Sequence, residues 1–405
     1  MDFAAELAAV WHKTPKKLLA LAGAAAAGVA IDRRTLLFHD LKSLVPLYQL
    51  TRKGKQVVAD NVLVPDIFAG SVQRFPEQLS MLYEDRSLTY KQVDEITNRV
   101  AHWALRQGFM PGDKVALLME NRPEFVITWL GLMKVGVVSA LINTHLKVDG
   151  LVHCIKLADP KAVVVGSELL DRFASIVGEL DAGVAIHVYG DGAHWSCSPQ
   201  FPFAQSLDDQ LAEMPVDSLP RSLLHGITPP DTCMLIFTSG TTGLPKAARV
   251  THYSIIMRGA TLCIARRFSV SQFWKDVAKF DATIVQYIGE MCRYLVSAPP
   301  SPNDRKNRVR LAFGNGLRPD VWHEFQDRFG IPVVYEFYGA TEGVLGFANH
   351  CVNKEDRGHL GRRGSLMKAL MGAKIVKYDV ENDEYIGDKV TGFLQECALD
   401  EVGEL

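Results

Sequence analysis

Between residues 110 and 190, short apolar runs alternate with stretches whose apolar residues recur at helical spacing. "DKVALLM" (113–119) fits a buried strand and "RPEFVITWLGLMKVG" (122–136) a helix. "VVSALI" (137–142) is a strand again, "KVDGLVHCIKLA" (147–158) a helix, and "KAVVVG" (161–166) and "GVAIHVY" (183–189) are strands. Alternation of this kind predicts a parallel sheet with helices on its faces. Residues 190–230 are richer in Pro, Ser, Gly and Asp, and read as surface loops around one short helix.

A second alternating set begins at "DTCMLIF" (231–237) and passes through "ATLCIA" (260–265). Helix "SVSQFWKDVAKF" (269–280), strand "ATIVQYI" (282–288) and helix "GEMCRYLV" (289–296) follow. Strand "VRLAF" (309–313), helix "RPDVWHEFQDRF" (318–329) and strand "IPVVYEF" (331–337) complete it. The tail, 365–405, looks more β-like. The fold class expected is α/β, with stacked subdomains whose mostly parallel sheets are flanked by helices. The first subdomain is placed at 46–230 and the second at 231–405.

The N-terminal segment, 1–45, departs from this pattern. Residues 18–31, "LLALAGAAAAGVAI", carry no charge, with Lys16 and Lys17 before them and Arg33 and Arg34 after. A bilayer-spanning helix needs roughly 20 apolar residues, so this run is short. A membrane-surface or shallowly inserted helix is the preferred reading. A buried packing helix also fits, and a cleaved signal peptide fits less well because the run starts late.

Composition adds exclusions. The 405 residues are 48% hydrophobic and 22% charged, which is ordinary for a globular chain. A net charge of −2 gives no footprint for nucleic acid. Seven cysteines, an odd count without a C-x-x-C pair, read as reduced thiols in a cytosol-facing protein. The twelve histidines form no H-E-x-x-H pattern, so protein-held zinc is not expected.

Two loops carry candidate chemistry. "TSGTTGLPK" (238–246) follows a buried strand and packs small residues ahead of Lys246. Glycines allow backbone N–H groups to converge on an anion, hydroxyls add donors without bulk, and a lysine supplies mobile positive charge. The stretch is not the usual G-x-x-x-x-G-K-[ST] loop, since β-prone "AARV" follows where that motif needs a helix. A Ser/Thr-rich turn is the plainer alternative. "YGATEG" (338–343) also follows a strand. Its aromatic can stack on a base, its Thr can donate to phosphate, and its carboxylate can hold magnesium. Alone it could be a simple strand-to-turn junction; two such loops about a hundred residues apart favour a shared ligand.

At these residues the chain resembles the adenylate-forming (AMP-binding) superfamily. "RRFSVSQFW", "IVQYIGEMCRYL", "FGNGLRPDVW", "KIVKYD" and "RSLTYKQVDEITNRVAHWAL" resemble its fatty-acid transport protein / very-long-chain acyl-CoA synthetase branch. The resemblance implies an acyl-CoA synthetase-like large domain and a two-step ligase reaction linked to fatty acid uptake. A fatty acid carboxylate attacks the α-phosphate of ATP, and coenzyme A then displaces AMP. It implies that Thr238, Ser239, Gly240, Thr241, Thr242 and Gly243 with Lys246 cradle the outer phosphates. Thr341 would bond the α-phosphate, Glu342 would hold Mg2+, and Tyr338 beside Gly339 would stack on adenine. Gly314, Asn315 and Gly316 would line the other side of the base. Tyr287, Ile288, Gly289 and Glu290 look like the acyl side of the site, or equally like a strand cap packed in the core. The membrane partner would be a cytosol-facing surface of the endoplasmic reticulum, peroxisome or plasma membrane, and a homo-oligomer is compatible with the family.

The family pattern breaks twice. Between "THYS" (251–254) and "GATLCIARR" (259–267) the family carries a few dozen more residues, including a strand and a His-containing motif; here only Ile255 to Arg258 intervene. The nine residues between "KAARV" (246–250) and "ATLCIA" also fall short of the dozen or so that a parallel crossover needs. Beyond "GEL" the family continues to a ribose-holding Asp and a small mobile domain with a catalytic lysine. The expectation is therefore an impaired ligase chain, with a non-catalytic nucleotide- or acyl-binding membrane-associated protein as the rival reading.

Overall fold

Buried apolar strands organise residues 53–360, and helices pack against them in shared cores. The computed structural model describes residues 36–238, 244–252, 260–339, 347–352, 354–360, 364–371, 374–379, 381–382, 384–388, 391–398 and 401–404. The elements in the first part are α1 (Leu37–Ala59), α2 (Val64–Arg74), β1 (Leu79–Tyr83), β2 (Arg86–Thr89), α3 (Tyr90–Arg106), β3 (Lys114–Leu118) and α4 (Pro123–Met133). There follow β4 (Val138–Leu141), α5 (Val148–Ala158), β5 (Ala162–Gly166), α6 (Leu170–Ala174), β6 (Ala185–Tyr189), β7 (Ala204–Ser206) and α7 (Leu207–Ala212). The next are β8 (Thr232–Thr238), β9 (Lys246–Thr251), β10 (Leu262–Ile264), α8 (Phe273–Lys279), β11 (Ile284–Ile288), α9 (Gly289–Ser297), β12 (Leu311–Asn315), α10 (Pro319–Phe329), β13 (Val334–Tyr338) and β14 (Phe347–Cys351). The last are α11 (Ser365–Met371), β15 (Tyr378–Asp379) and β16 (Glu384–Tyr385).

Residues 53–360 form one compact unit. Its largest sheet has seven strands in the order β7-β6-β5-β3-β4-β8-β9. All its neighbours are parallel except β8 and β9. β3 and β5 are buried along nearly their whole length, as strands covered on both faces must be. One face packs Trp103, Leu117, Ile127 and Leu132, and the other packs Val163, Val165, Cys154 and Phe173. Helix α3 starts at a reciprocal cap. Thr89 Oγ1 accepts from the Gln92 backbone N–H, and Gln92 Oε1 accepts from that of Thr89.

The four-stranded sheet, β11-β12-β13-β14, is parallel over its first three strands, and β14 returns antiparallel. Its core gathers Trp274, Trp322, Phe325 and Phe329 from α8 and α10 against Tyr287, Ala312 and Val334. A three-stranded sheet, β10-β1-β2, completes the unit.

The sequence-based elements hold in order, with three differences. The stretches 246–250 and 260–265 are not parallel neighbours. β9 runs antiparallel to β8, while β10 pairs parallel with β1 through Met81 and Leu262, in another sheet. The crossover-length argument therefore does not apply to them, because it presumes a shared sheet. The 190–230 segment contains a short strand, β7, ahead of its helix. The tail opens with helix α11 before its two-residue strands.

The described parts of 1–52 and 361–405 form the second unit. Asp40, fully buried, accepts from the backbone N–H of Gly364 at 2.7 Å and of Met367 at 2.9 Å, capping α11. The uncharged run 18–31 lies outside the described residues. Among the described residues no helix is long and apolar enough to cross a membrane.

Candidate nucleotide-binding site

Strands β11, β12 and β13 are parallel, so their carboxyl ends share one edge of the sheet. Ile288 pairs with Asn315, and Gly314 with Glu336, which places Tyr338 just beyond that row. The expected adenine-side residues Gly314, Asn315, Gly316, Tyr338 and Gly339 thus gather at one edge, together with Tyr287 to Glu290. The Tyr338 side chain is half exposed, and a Cβ at Gly339 would meet open space. Gly316 takes φ +78°, which lets the chain turn sharply after β12.

The Tyr287–Glu290 stretch divides. Tyr287 is buried in the core against Phe325, with ring centroids 6.1 Å apart. Its hydroxyl donates to the Glu336 carboxylate. Gly289 opens α9 with its Cα against the Gly316 carbonyl. Ile288 is exposed, and so is Glu290, whose carboxyl is held low by its hydrogen bonds to Arg293, the Nε at 2.9 Å. Of the four, Ile288 and Glu290 face solvent, while Tyr287 and Gly289 serve packing.

The motifs do not single out Glu336, although a lone carboxylate inside the apolar run "VVYEFY" is a readable signal. It is 1% exposed, and Oε1 accepts from the Leu317 backbone N–H at 3.1 Å. Burial raises its pKa, and the bonds from Tyr287 and from the Leu317 and Gly316 N–H groups partly offset that rise. Burial, then the neighbouring carboxylate, push the Tyr287 phenol upward.

The other candidate loop leaves the carboxyl end of β8 in the seven-stranded sheet. Thr238 and Lys246 are register partners, so both ends of the connection are fixed by the β8–β9 ladder. His153 of α5 adds an anchor, donating from Nε2 to the Pro245 carbonyl at 3.1 Å. Lys246 itself is exposed. Ser239, Gly240, Thr241, Thr242, Gly243, Thr341 and Glu342 lie outside the described residues.

A sequence model of AMP-binding enzymes matches residues 68–258 and 253–395. Long-chain fatty acid transport protein 6 of Mus musculus is 36% identical over 364 residues, covering 80% of this chain and 57% of that protein. The chain spans about 60% of the length of the curated relatives it matches. In fold it is similar to the anthranilate CoA ligase AuaEII in complex with anthranoyl-AMP, with a TM-score of 0.66 and 18% identity. That match covers 81% of this chain and 68% of the ligase. The N-terminal domain of FACL13 from Mycobacterium tuberculosis superposes with a TM-score of 0.63 and 18% identity, over 82% of this chain and 86% of that one. Two matched stretches that together cover most of the sequence establish that the chain belongs to the family of AMP-binding enzymes.

Proposed function

We propose that this chain is the nucleotide-binding body of a long- or very-long-chain fatty acid–CoA ligase, using ATP, Mg2+ and coenzyme A. The observation that carries the reading is the shared carboxyl edge of β11–β13, where Gly314, Asn315, Gly316, Tyr338 and Gly339 come together. Ligands of open parallel sheets collect at such edges. Tyr338 supplies an aromatic face for adenine. Thr238 and Lys246 flank the connection that would take the outer phosphates, and Glu342 would hold the magnesium ion. The fatty acid substrate is supported by the printed names of the relatives, long-chain fatty acid transport proteins.

Adenylation joins two anions, so cationic and N–H donors have to neutralise the developing charge. Loss of one such contact typically costs about 10²- to 10³-fold in rate. The two family-matched stretches meet at residues 253–258. That junction supports the reading that a family segment between them is missing and that catalysis by the 405-residue chain is impaired. It equally favours the second reading, a non-catalytic nucleotide- or acyl-binding protein at a membrane surface. Attachment would run through the run 18–31 and its flanking cations, so a chain lacking residues 1–34 is expected in the soluble fraction.

The test is calorimetric titration with ATP–Mg, then fatty-acid-dependent exchange of labelled pyrophosphate into ATP, then coenzyme A-dependent release of AMP. Saturable ATP binding without robust exchange is the expected result. Robust signal in both steps would show that the 253–258 junction costs the site nothing. No binding of ATP would overturn the nucleotide reading.

A further inference from the structure

Three residues lie in one row across the four-stranded sheet: Tyr287 on β11 pairs with Gly314 on β12, and Gly314 pairs with Glu336 on β13. The middle position has no side chain, and the outer two meet over it. The Tyr287 hydroxyl donates to a Glu336 carboxylate oxygen. A Cβ at Gly314 would stand 2.6 Å from Tyr287 Cδ2 and 2.1 Å from the Tyr287 carbonyl oxygen. The other Glu336 oxygen accepts from the Leu317 backbone N–H. The carboxylate therefore ties β11 to the turn that leaves β12, beneath the sheet edge.

Alternation along β13 puts Glu336 and Tyr338 on the same face of the strand. Glu336 is 1% exposed and Tyr287 2%, so neither is placed to touch a ligand. A buried carboxylate is costly unless its lone pairs are filled, and here a phenol and backbone N–H groups fill them. The arrangement holds the Gly314–Leu317 turn in one position relative to the end of β13.

We propose that Glu336 and Tyr287 are positioning residues that act through the Gly314–Leu317 turn. They fix the wall opposite Tyr338 and so set the affinity of the site for the adenine ring. Gly314 is glycine because β11 comes too close for a Cβ, the Tyr287 backbone carbonyl being the nearest obstacle. This inference rests on the nucleotide reading above. It also assigns Tyr287 away from the acyl substrate.

The test compares the parent chain with Glu336→Leu, Glu336→Gln and Tyr287→Phe. Each is titrated calorimetrically with AMP and separately with pyrophosphate, and thermal unfolding is recorded for each. Pyrophosphate probes the 238–246 connection, whose ends Thr238 and Lys246 belong to the seven-stranded sheet and not to that of the strut. The expected result is AMP affinity lowered about tenfold or more in Glu336→Leu, with pyrophosphate affinity within about twofold of the parent. Glu336→Gln keeps one acceptor for Leu317 and should recover most of the AMP affinity, and Tyr287→Phe should fall between. Equal loss of both ligands with a lowered melting temperature would mean a general packing role and overturn the proposal. So would unchanged AMP affinity in Glu336→Leu. If the parent binds pyrophosphate but not AMP, the adenine reading itself fails and the proposal falls with it.

Discussion

Arg266 Nη1 donates to Asp191 Oδ2 at 2.6 Å, and Nη2 donates to Oδ1 at 3.1 Å. This two-pronged bond joins the chain just after β10 to the loop that leaves β6. Arg266 also reaches Glu84 and Glu120, so one guanidinium faces three carboxylates. The bond to Arg266 holds the Asp191 carboxyl below its ordinary range. Arg266→Ala would leave the carboxylates facing one another, and the expected loss is about 1–2 kcal/mol. An unchanged urea midpoint would show that the network contributes nothing. Since the folded pKa of Asp191 is depressed, its contribution is present above the unfolded value near 4 and is lost as pH falls below it.

A larger acid sensitivity comes from two buried histidines. Burial pushes both His187 and His252 down to about 4. His187 stacks edge-on against Trp103, with centroids 5.0 Å apart, and its Nε2 has no hydrogen-bond partner among the described residues. Their unfolded pKa is near 6.5, so between pH 6.5 and 4 the unfolded chain binds more protons and stability falls as pH is lowered. Each group accounts for about 3 kcal/mol over that window. Urea denaturation at pH 7, 5.5 and 4.5 should show a steep decline. A flat profile would mean that one or both rings are solvated.

Much of this fold was legible because it rests on strand burial. The runs at 113–119, 137–142 and 161–166 became β3, β4 and β5 with ends moved by only a residue or two. Pairing was less legible. Nothing local in "ATLCIA" says that it joins β1 instead of continuing the sheet of β8 and β9, since that choice is made by contacts some 180 residues away. At the site, the family resemblance implied that Gly314, Asn315 and Gly316 would line the base. Only the register shows that Gly314 is crossed by Tyr287. "QYIGE" gave no period that separates a buried Tyr287 from an exposed Ile288, because five residues of edge strand alternate too briefly.

Gly289 tests how tightly the candidate site is packed. A Cβ there would lie 1.7 Å from the Gly316 carbonyl oxygen, and that obstacle is backbone. Gly289→Ala must push apart the turns after β11 and β12, at an expected cost of about 1–3 kcal/mol. Gly70 in α2 is the matched control, with nothing within 4 Å of an added Cβ. There alanine should stabilise by about 0.5–1 kcal/mol through helix propensity. Thermal unfolding of the two variants should move in opposite directions. A melting temperature for Gly289→Ala at or above the parent's would contradict this packing.

On the proposed reading, Lys246 would address the outer phosphates and not the rest of the nucleotide. It opens β9 opposite Thr238, and its side chain is exposed at the carboxyl end of β8. On that reading the cation would meet triphosphate charge, while the proposed adenine-side residues belong to the edge of the other sheet. One lysine–phosphate contact in a partly solvated setting is worth about 1–2 kcal/mol, or roughly tenfold in affinity. Lys246→Ala should therefore weaken ATP–Mg about tenfold and AMP by less than about twofold. The ATP effect should shrink as salt rises, because an exposed pair is screened. Equal weakening of ATP and AMP in the calorimeter would mean that Lys246 shapes the loop and does not bind phosphate. No effect on either would place the outer phosphates elsewhere.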